Sequence, residues 1–154
     1  MNNSDHILFN EATTADIPEL ISLLFALFSI EKDFNSDSAK QQKGLALVIE
    51  NKVSATIQVA RNADDKVIGM VSAQLVISTA QGATSAWIED MVVDAKYRGN
   101  GIGKQLLNNA LAWAKNKGAT RAQLLVDVAN TDAIAYYQHL NWESTQLQAR
   151  RVFL

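Results

Sequence analysis

The densest cluster of residue types able to do chemistry is Arg98-Gly99-Asn100-Gly101-Ile102-Gly103, three glycines at alternate positions followed by Lys104 and an apolar helical repeat. Glycine lets the backbone take left-handed conformations and approach a ligand closely, and a helix N-terminus just beyond adds inward N–H groups and about half a positive charge. Such a loop suits a phosphate. A tight strand-to-helix turn without a ligand is the plainer alternative, but a simple turn rarely needs three glycines. A nucleotide-hydrolysing P-loop would need Gly where Arg98 stands and Ser or Thr in place of Gln105. A dinucleotide fingerprint would need Gly in place of Lys104 and should open the first strand-helix-strand unit of the chain. Both are excluded.

The elements that must hold this loop are readable from periodicity. His6 to Asn10 reads as an opening strand, and Thr13 to Asp16 supplies a capping signal for a helix with Pro18 in its first turn. Ile17, Leu20, Ile21, Leu24, Leu27 and Phe28 trace one apolar stripe, predicting a helix that ends near Phe34. A second helix is predicted from Ser38 to Asn51 with Ser38 as its cap. Ala55 to Arg61 and Lys66 to Ser78 read as a hairpin around the turn-forming 62–65 segment. Ser85 to Val93 is nearly continuously apolar and reads as a central strand covered on both faces. Gly101 to Lys117 is an amphipathic helix stopped by Gly118, with Trp113 packed into the core. A strand from Ala122 to Val126, a helix from Thr131 to His139 opened by Asn130, and strand-like pieces around Glu143 and Arg151 complete the chain. This order predicts an α/β (α+β) fold: a mixed sheet with helices on both faces, in which Val93 to Ala122 forms a right-handed parallel crossover. Ligands in such sheets bind where strands end and helices begin.

Composition narrows the function classes. At 154 residues the chain is expected to be a single domain, 1–154. Its lack of cysteine removes disulfide scaffolds, thiolate metal sites and cysteine nucleophiles. A net charge of −2 gives no electrostatic support for nucleic-acid binding. The most apolar stretch, Leu20 to Ile30, is too short to cross a bilayer, and no cationic segment leads into an apolar one at the N-terminus. No membrane association and a cytoplasmic location are therefore expected. His6 and His139 lack metal-ligand spacing, and no Gly-x-Ser-x-Gly elbow accompanies them, so no metal site is expected. Arg150 and Arg151 read as solvated charges, and a homodimer stays open.

With Arg98, Gly101 and Gly103 in the pattern Arg-x-x-Gly-x-Gly, the loop resembles the pyrophosphate loop of the GNAT superfamily of acyl-CoA-dependent N-acyltransferases. The resemblance extends to Ile88-Glu89-Asp90-Met91-Val92-Val93 before the loop. After it comes Asn130-x-x-Ala133-Ile134-x-x-Tyr137-x-x-Leu140-x-Trp142, so that roughly residues 53 to 145 are covered. Asn141 and Trp142 depart from the commoner Gly-Phe. The resemblance implies a mostly antiparallel GNAT-like sheet and an acetyltransferase that uses acetyl-CoA as donor and a small amine as acceptor. The competing class is a non-catalytic acyl-CoA-binding or sensor module; protein amines are a further alternative acceptor.

The same resemblance implies roles. The loop Arg98, Gly99, Asn100, Gly101, Ile102, Gly103 and Lys104 would hold the CoA pyrophosphate on its backbone N–H groups, with the Arg98 side chain left to solvent. Met91, Val92 and Val93 would run beside the pantetheine arm as an added strand, and the Val93 N–H would polarise the thioester carbonyl. Asn130 would cap its helix and contact CoA. Tyr137 would be the general acid for the departing thiolate, with Tyr136 turned elsewhere on the helix; a thiol and a phenol differ by only about 1.5 pKa units, so this help is modest. An amine acceptor is mostly protonated at neutral pH and needs a base or a water path, for which Glu89 and Asp90 are the candidates. On a regular strand they point to opposite faces, so one at most would reach the cleft unless a bulge re-aims them. Glu31, Asp33 and Phe34 fall where the family's acceptor site is walled, and acids there with Glu89 and Asp90 suggest a cationic acceptor, such as a diamine or amino-acid derivative.

Overall fold

Alternating apolar residues, short turns and amphipathic helices fold into the architecture seen in the computed structural model, which describes residues 6–31 and 35–154. The chain divides into two compact units, Met1–Gln123 and Leu124–Leu154. In the first, strands β1 (Leu8–Glu11), β2 (Ala55–Arg61), β3 (Val67–Ser78), β4 (Ala83–Val93) and β5 (Ala119–Leu124) line up in chain order in one sheet. The first three pairings are antiparallel, and β5 runs parallel to β4 across the connection formed by α3 (Ile102–Asn116). Helices α1 (Ile17–Ile30) and α2 (Ser38–Glu50) lie between β1 and β2 in sequence.

Both faces of the sheet carry helices, as two adjacent residues of β3 show. Neighbours on a strand point to opposite faces. Met70 joins Leu20, Leu23 and Leu24 of α1 and Leu45 and Ile49 of α2 in the main apolar cluster, together with Ile57, Val59 and Val92. Gly69 faces the other way: a Cβ there would sit 3.0 Å from Leu106 Cδ1 and 3.5 Å from Ile102 Cγ2, both on α3. Glycine at this position lets α3 lie close to the sheet.

A polar network ties β1, β2 and the start of α1 together. Asp16, the N-cap of α1, receives Nη1 and Nη2 of Arg61 at 2.9 and 2.7 Å and the Thr13 N–H at 2.8 Å. Arg61 also donates from Nε to Asn10 Oδ1 at 3.0 Å. Burial alone would raise the Asp16 pKa, but the Arg61 guanidinium and the Thr13 N–H hold the carboxyl below its usual range.

Several boundaries differ from expectation. The first strand is shifted to Leu8–Glu11 because its register is set by pairing with Gln58–Arg61. Helix α1 ends at Ile30 with Glu31 as C-cap, rather than near Phe34; Asp33 and Phe34 lie outside the described residues. The cap of α2 is Asp37, whose extended backbone lets its carboxylate accept the Ala39 and Lys40 N–H groups at 3.1 and 3.2 Å, and Ser38 is the first helical residue. Strand β5 begins at Ala119 and ends at Leu124, and the segments around Glu143 and Arg151 form no strand, because a partner to pair with decides strand limits more than composition does. β4 lies inside the sheet, yet β3 is the middle strand, and β4 is not covered throughout: Glu89 is exposed. Trp113 is half-buried. No helix among the described residues is long and apolar enough to cross a membrane.

In the second unit, Asn130 caps α4 (Thr131–His139) by accepting the Ala133 N–H at 3.1 Å. The helix closes with a Schellman motif: Trp142 N–H donates to Tyr137 O at 2.9 Å and Asn141 N–H to Gln138 O at 3.0 Å. Asn141 has φ of 65°, the left-handed conformation that glycine or asparagine takes at this position. The departure from Gly-Phe at 141–142 therefore keeps the backbone geometry.

Candidate functional site

The loop after β4 is built to leave amides open. Asp94 starts it, accepting the Lys96 N–H on Oδ1 and the Tyr97 N–H on its carbonyl, each at 2.9 Å. Gly99 and Gly101 then take φ of 80° and 76°. A Cβ at either would meet nothing within 4 Å, so it is backbone conformation that calls for glycine. Gly101 is the N-cap of α3 and no side chain caps the helix. The first N–H to find a carbonyl one turn back is that of Gln105, bonded to Gly101 O at 3.1 Å, so the N–H groups of Ile102, Gly103 and Lys104 precede the helical ladder. The Ile102 side chain is buried beside Gly69, which leaves its amide as its contribution to the loop. Asn100 Nδ2 donates to Tyr97 O at 3.1 Å, bracing the turn. The Arg98 side chain is exposed but not idle: its Nε donates to Val93 O at 2.9 Å, joining the loop to the end of β4.

β4 is irregular where the resemblance places its motif. Ser72 pairs with Glu89 and Met70 with Val92, so Asp90 and Met91 together oppose Val71 alone. This is a β-bulge, and Asp90 in it has φ of 54°. Ser72 pins the entrance, its hydroxyl donating to Glu89 O at 3.1 Å. A bulge interrupts the ladder and leaves strand amides and carbonyls available, which an extended ligand arm requires. Val92 is buried, whereas Met91 and Val93 are half-buried.

The bulge also gathers acids. Burial pushes the Asp90 carboxyl up to about 7, and the negative charges of Glu89 and Glu31 add to the rise. The two strand carboxyls and the C-cap residue of α1 thus share one electrostatic neighbourhood. Trp87, on the same face two residues before Glu89, donates its indole N–H to Glu89 Oε1. Among the described residues no group of three or more His, Asp or Glu side chains is placed to hold a metal.

Within the second unit, Tyr137 and Asn130 share α4. The Tyr137 ring lies 5.9 Å from that of Trp142 at 65° and 5.5 Å from that of Tyr136 at 71°, both edge-on. Burial raises the Tyr136 pKa. Ser72 and Trp87 escaped the sequence reading, and Trp142 entered it only as a departure from Gly-Phe, without its ring contact to Tyr137. The alternation of Trp87 with Glu89 was available as a signal, but the bulge that gives Ser72 its role leaves no mark in composition.

The residues present fit the diphosphate of a CoA donor: an uncapped helix start, left-handed glycines and a neighbouring cation in Lys104. The model of the Acetyltransferase (GNAT) family matches residues 21–142. An uncharacterized N-acetyltransferase of Methanocaldococcus jannaschii is 37% identical over 71 residues, 46% of this chain but only 31% of that relative's length. A transcriptional regulator from Bacillus halodurans C-125 shares the fold with a TM-score of 0.84 at 25% identity, covering 96% of this chain and 100% of its own. Glucosamine-6-phosphate N-acetyltransferase from Arabidopsis thaliana superposes with a TM-score of 0.78 at 18% identity, over 97% of this chain and 99% of its own. With the family model spanning most of the sequence, the chain belongs to the GNAT acetyltransferase family.

Proposed function

We propose that the protein transfers an acetyl group from acetyl-CoA to a primary amine of a small molecule by direct attack in a ternary complex. The observation that carries this reading is the bulged end of β4 running into an uncapped, glycine-built start of α3, with the half-buried Asp90 carboxyl beside it. The open amides of Gly101 to Lys104 bind the pyrophosphate. The backbone of Met91, Val92 and Val93 at the end of β4 pairs with the pantetheine arm, and the Val93 N–H polarises the carbonyl under attack. Acetyl-CoA supplies an acyl carbon already activated as a thioester.

Asp90, poised near neutrality, takes a proton from the ammonium of the acceptor, directly or through water, while Glu89 and Glu31 attract that cation into the site. The amine nitrogen then forms its bond to the acyl carbon as the C–S bond breaks. Tyr137 delivers a proton to the leaving sulfur and is restored by the second proton that the acylated nitrogen releases, directly or through water, and Asn130 adds a CoA contact besides capping α4. The chain has no cysteine to carry the acetyl group, which favours direct attack over a thioester on the enzyme. Glucosamine-6-phosphate N-acetyltransferase, similar in fold, is named for a small amine acceptor, and the acid cluster supports the same class here. Initial rates with both substrates varied test the reading. Intersecting double-reciprocal lines with amine-dependent thiol release are expected; parallel lines would contradict direct attack.

A further inference from the structure

A second polar feature lies on the same face of the sheet as Glu89. Ser72, Gln74, Val76 and Ser78 alternate on β3 and pair with Glu89, Trp87, Ser85 and Ala83. Met70, two residues before Ser72, belongs to the cluster beneath α1 and α2, so this is the face those helices cover in part. Beyond them a cavity of about 330 Å³ opens over β3, β4 and β5, lined by Val76, Ser85, Trp87, Arg121 and Gln123 among others. Arg121 is its cation. The Arg121 Nε donates to Ser85 Oγ at 3.2 Å, which turns the guanidinium over the strand, and Arg121 forms no ion pair among the described residues. Trp87 belongs to both places: its ring lines the cavity and its indole N–H bonds Glu89. Acidic groups thus stand at one end of this surface and a guanidinium at the other. Ser85 and Glu89 are four residues apart, about 13 Å along an extended strand.

Resting on the acetyl-transfer reading, we infer that the acceptor is an extended amine bearing a terminal anionic group, a carboxylate or a phosphate, which the Arg121 guanidinium holds in this cavity while the amine reaches the acids of β4. A guanidinium with its Nε engaged still presents two Nη groups, the geometry that takes an oxyanion through paired charge-assisted hydrogen bonds. A diamine would bring a second cation to Arg121 and be repelled. This separates two acceptor types that the acids alone leave equal.

The test compares thiol release with aminohexanoate and aminooctanoate against their terminal amides, with aminohexyl phosphate against aminohexanol, and with diaminohexane. In the native protein the anionic acceptors are expected to exceed their neutral partners in kcat/KM by roughly tenfold or more, as a hydrogen bond between charged groups supplies. Arg121→Gln is expected to collapse that ratio through KM, and Arg121→Lys to keep part of it. Arg121 is exposed, and matching thermal melts check that each variant folds. A native ratio near one, or a ratio equal in native protein and Arg121→Gln, overturns the inference while leaving acetyl transfer standing. Preference for phosphate over carboxylate identifies the kind of anion. No release with any amine removes the acetyl-transfer reading and this inference with it.

Discussion

Trp142 closes the helix that carries Tyr137, donating its N–H to the Tyr137 carbonyl at 2.9 Å and resting its ring edge-on 5.9 Å from the tyrosine's. The same residue thus ends α4 and restrains the side chain proposed as general acid. Tyr137→Phe is expected to lower kcat roughly tenfold or more with acetyl-CoA affinity little changed, near the low end for acid catalysis because a thiolate leaves readily. Tyr136→Phe is the control and should do little. Equal losses from both, measured as kcat and as a calorimetric Kd, would remove the acid from Tyr137.

Asn141 holds the left-handed turn of that motif with φ of 65°. Asn141→Ala should cost about 1 kcal/mol, the strain a Cβ meets there without asparagine's local hydrogen bonding. Asn141→Gly should be close to neutral. Thermal melts of the two variants check this, and an alanine variant as stable as the native protein would deny the strain.

Asp90 gives the protein a pH signature. Its carboxyl is raised from 3.8 to about 7 by burial and by Glu89 and Glu31, so the folded chain holds a proton that the unfolded chain releases between those values. Stability contributed by this group is full below the unfolded pKa and is lost as pH rises through about 7. Asp90→Asn, which suits the left-handed φ of 54°, should therefore raise the melting temperature by a few degrees at pH values above 7 and not below 4. Activity should rise with pH through the same value in the native protein, and that limb should vanish in the variant. Glu89→Gln should move it to lower pH. An unchanged profile in Asp90→Asn would hand the base role to Glu89 or to water.

The Asp16–Arg61 pair is structural. Both residues are 8% exposed, and deleting one partner leaves a buried charge alone. Asp16→Ala is expected to cost about 3–5 kcal/mol in denaturant unfolding. Because the Asp16 pKa is lowered on folding, its contribution is present at neutral pH and fades as pH falls through the folded value below 3.8.

These residues show where sequence reading reached and where it stopped. Glycines 99 and 101 announced left-handed backbone, and the structure has it, because that conformation belongs to the residue type itself. The stripe from Ile17 to Phe28 and the helix after Gly101 were legible for the same local reason, their spacing. The bulge was not: it is a relation between Ser72, Val71 and two residues of β4, and nothing in Glu89-Asp90-Met91 alone declares which strand register wins. Nor was the Arg98 contact to Val93 O legible, or the cavity that holds Arg121, since each depends on what the chain brings beside it.

The open start of α3 carries the central claim, and calorimetric titration of acetyl-CoA into native protein and Gly101→Ala tests it most directly. The native protein should bind one equivalent. The alanine variant, which strains a residue at φ of 76° by about 1–2 kcal/mol without any clash, should bind at least severalfold more weakly while remaining folded at low temperature. No binding of acetyl-CoA to the native protein, or equal binding by both, would contradict the account.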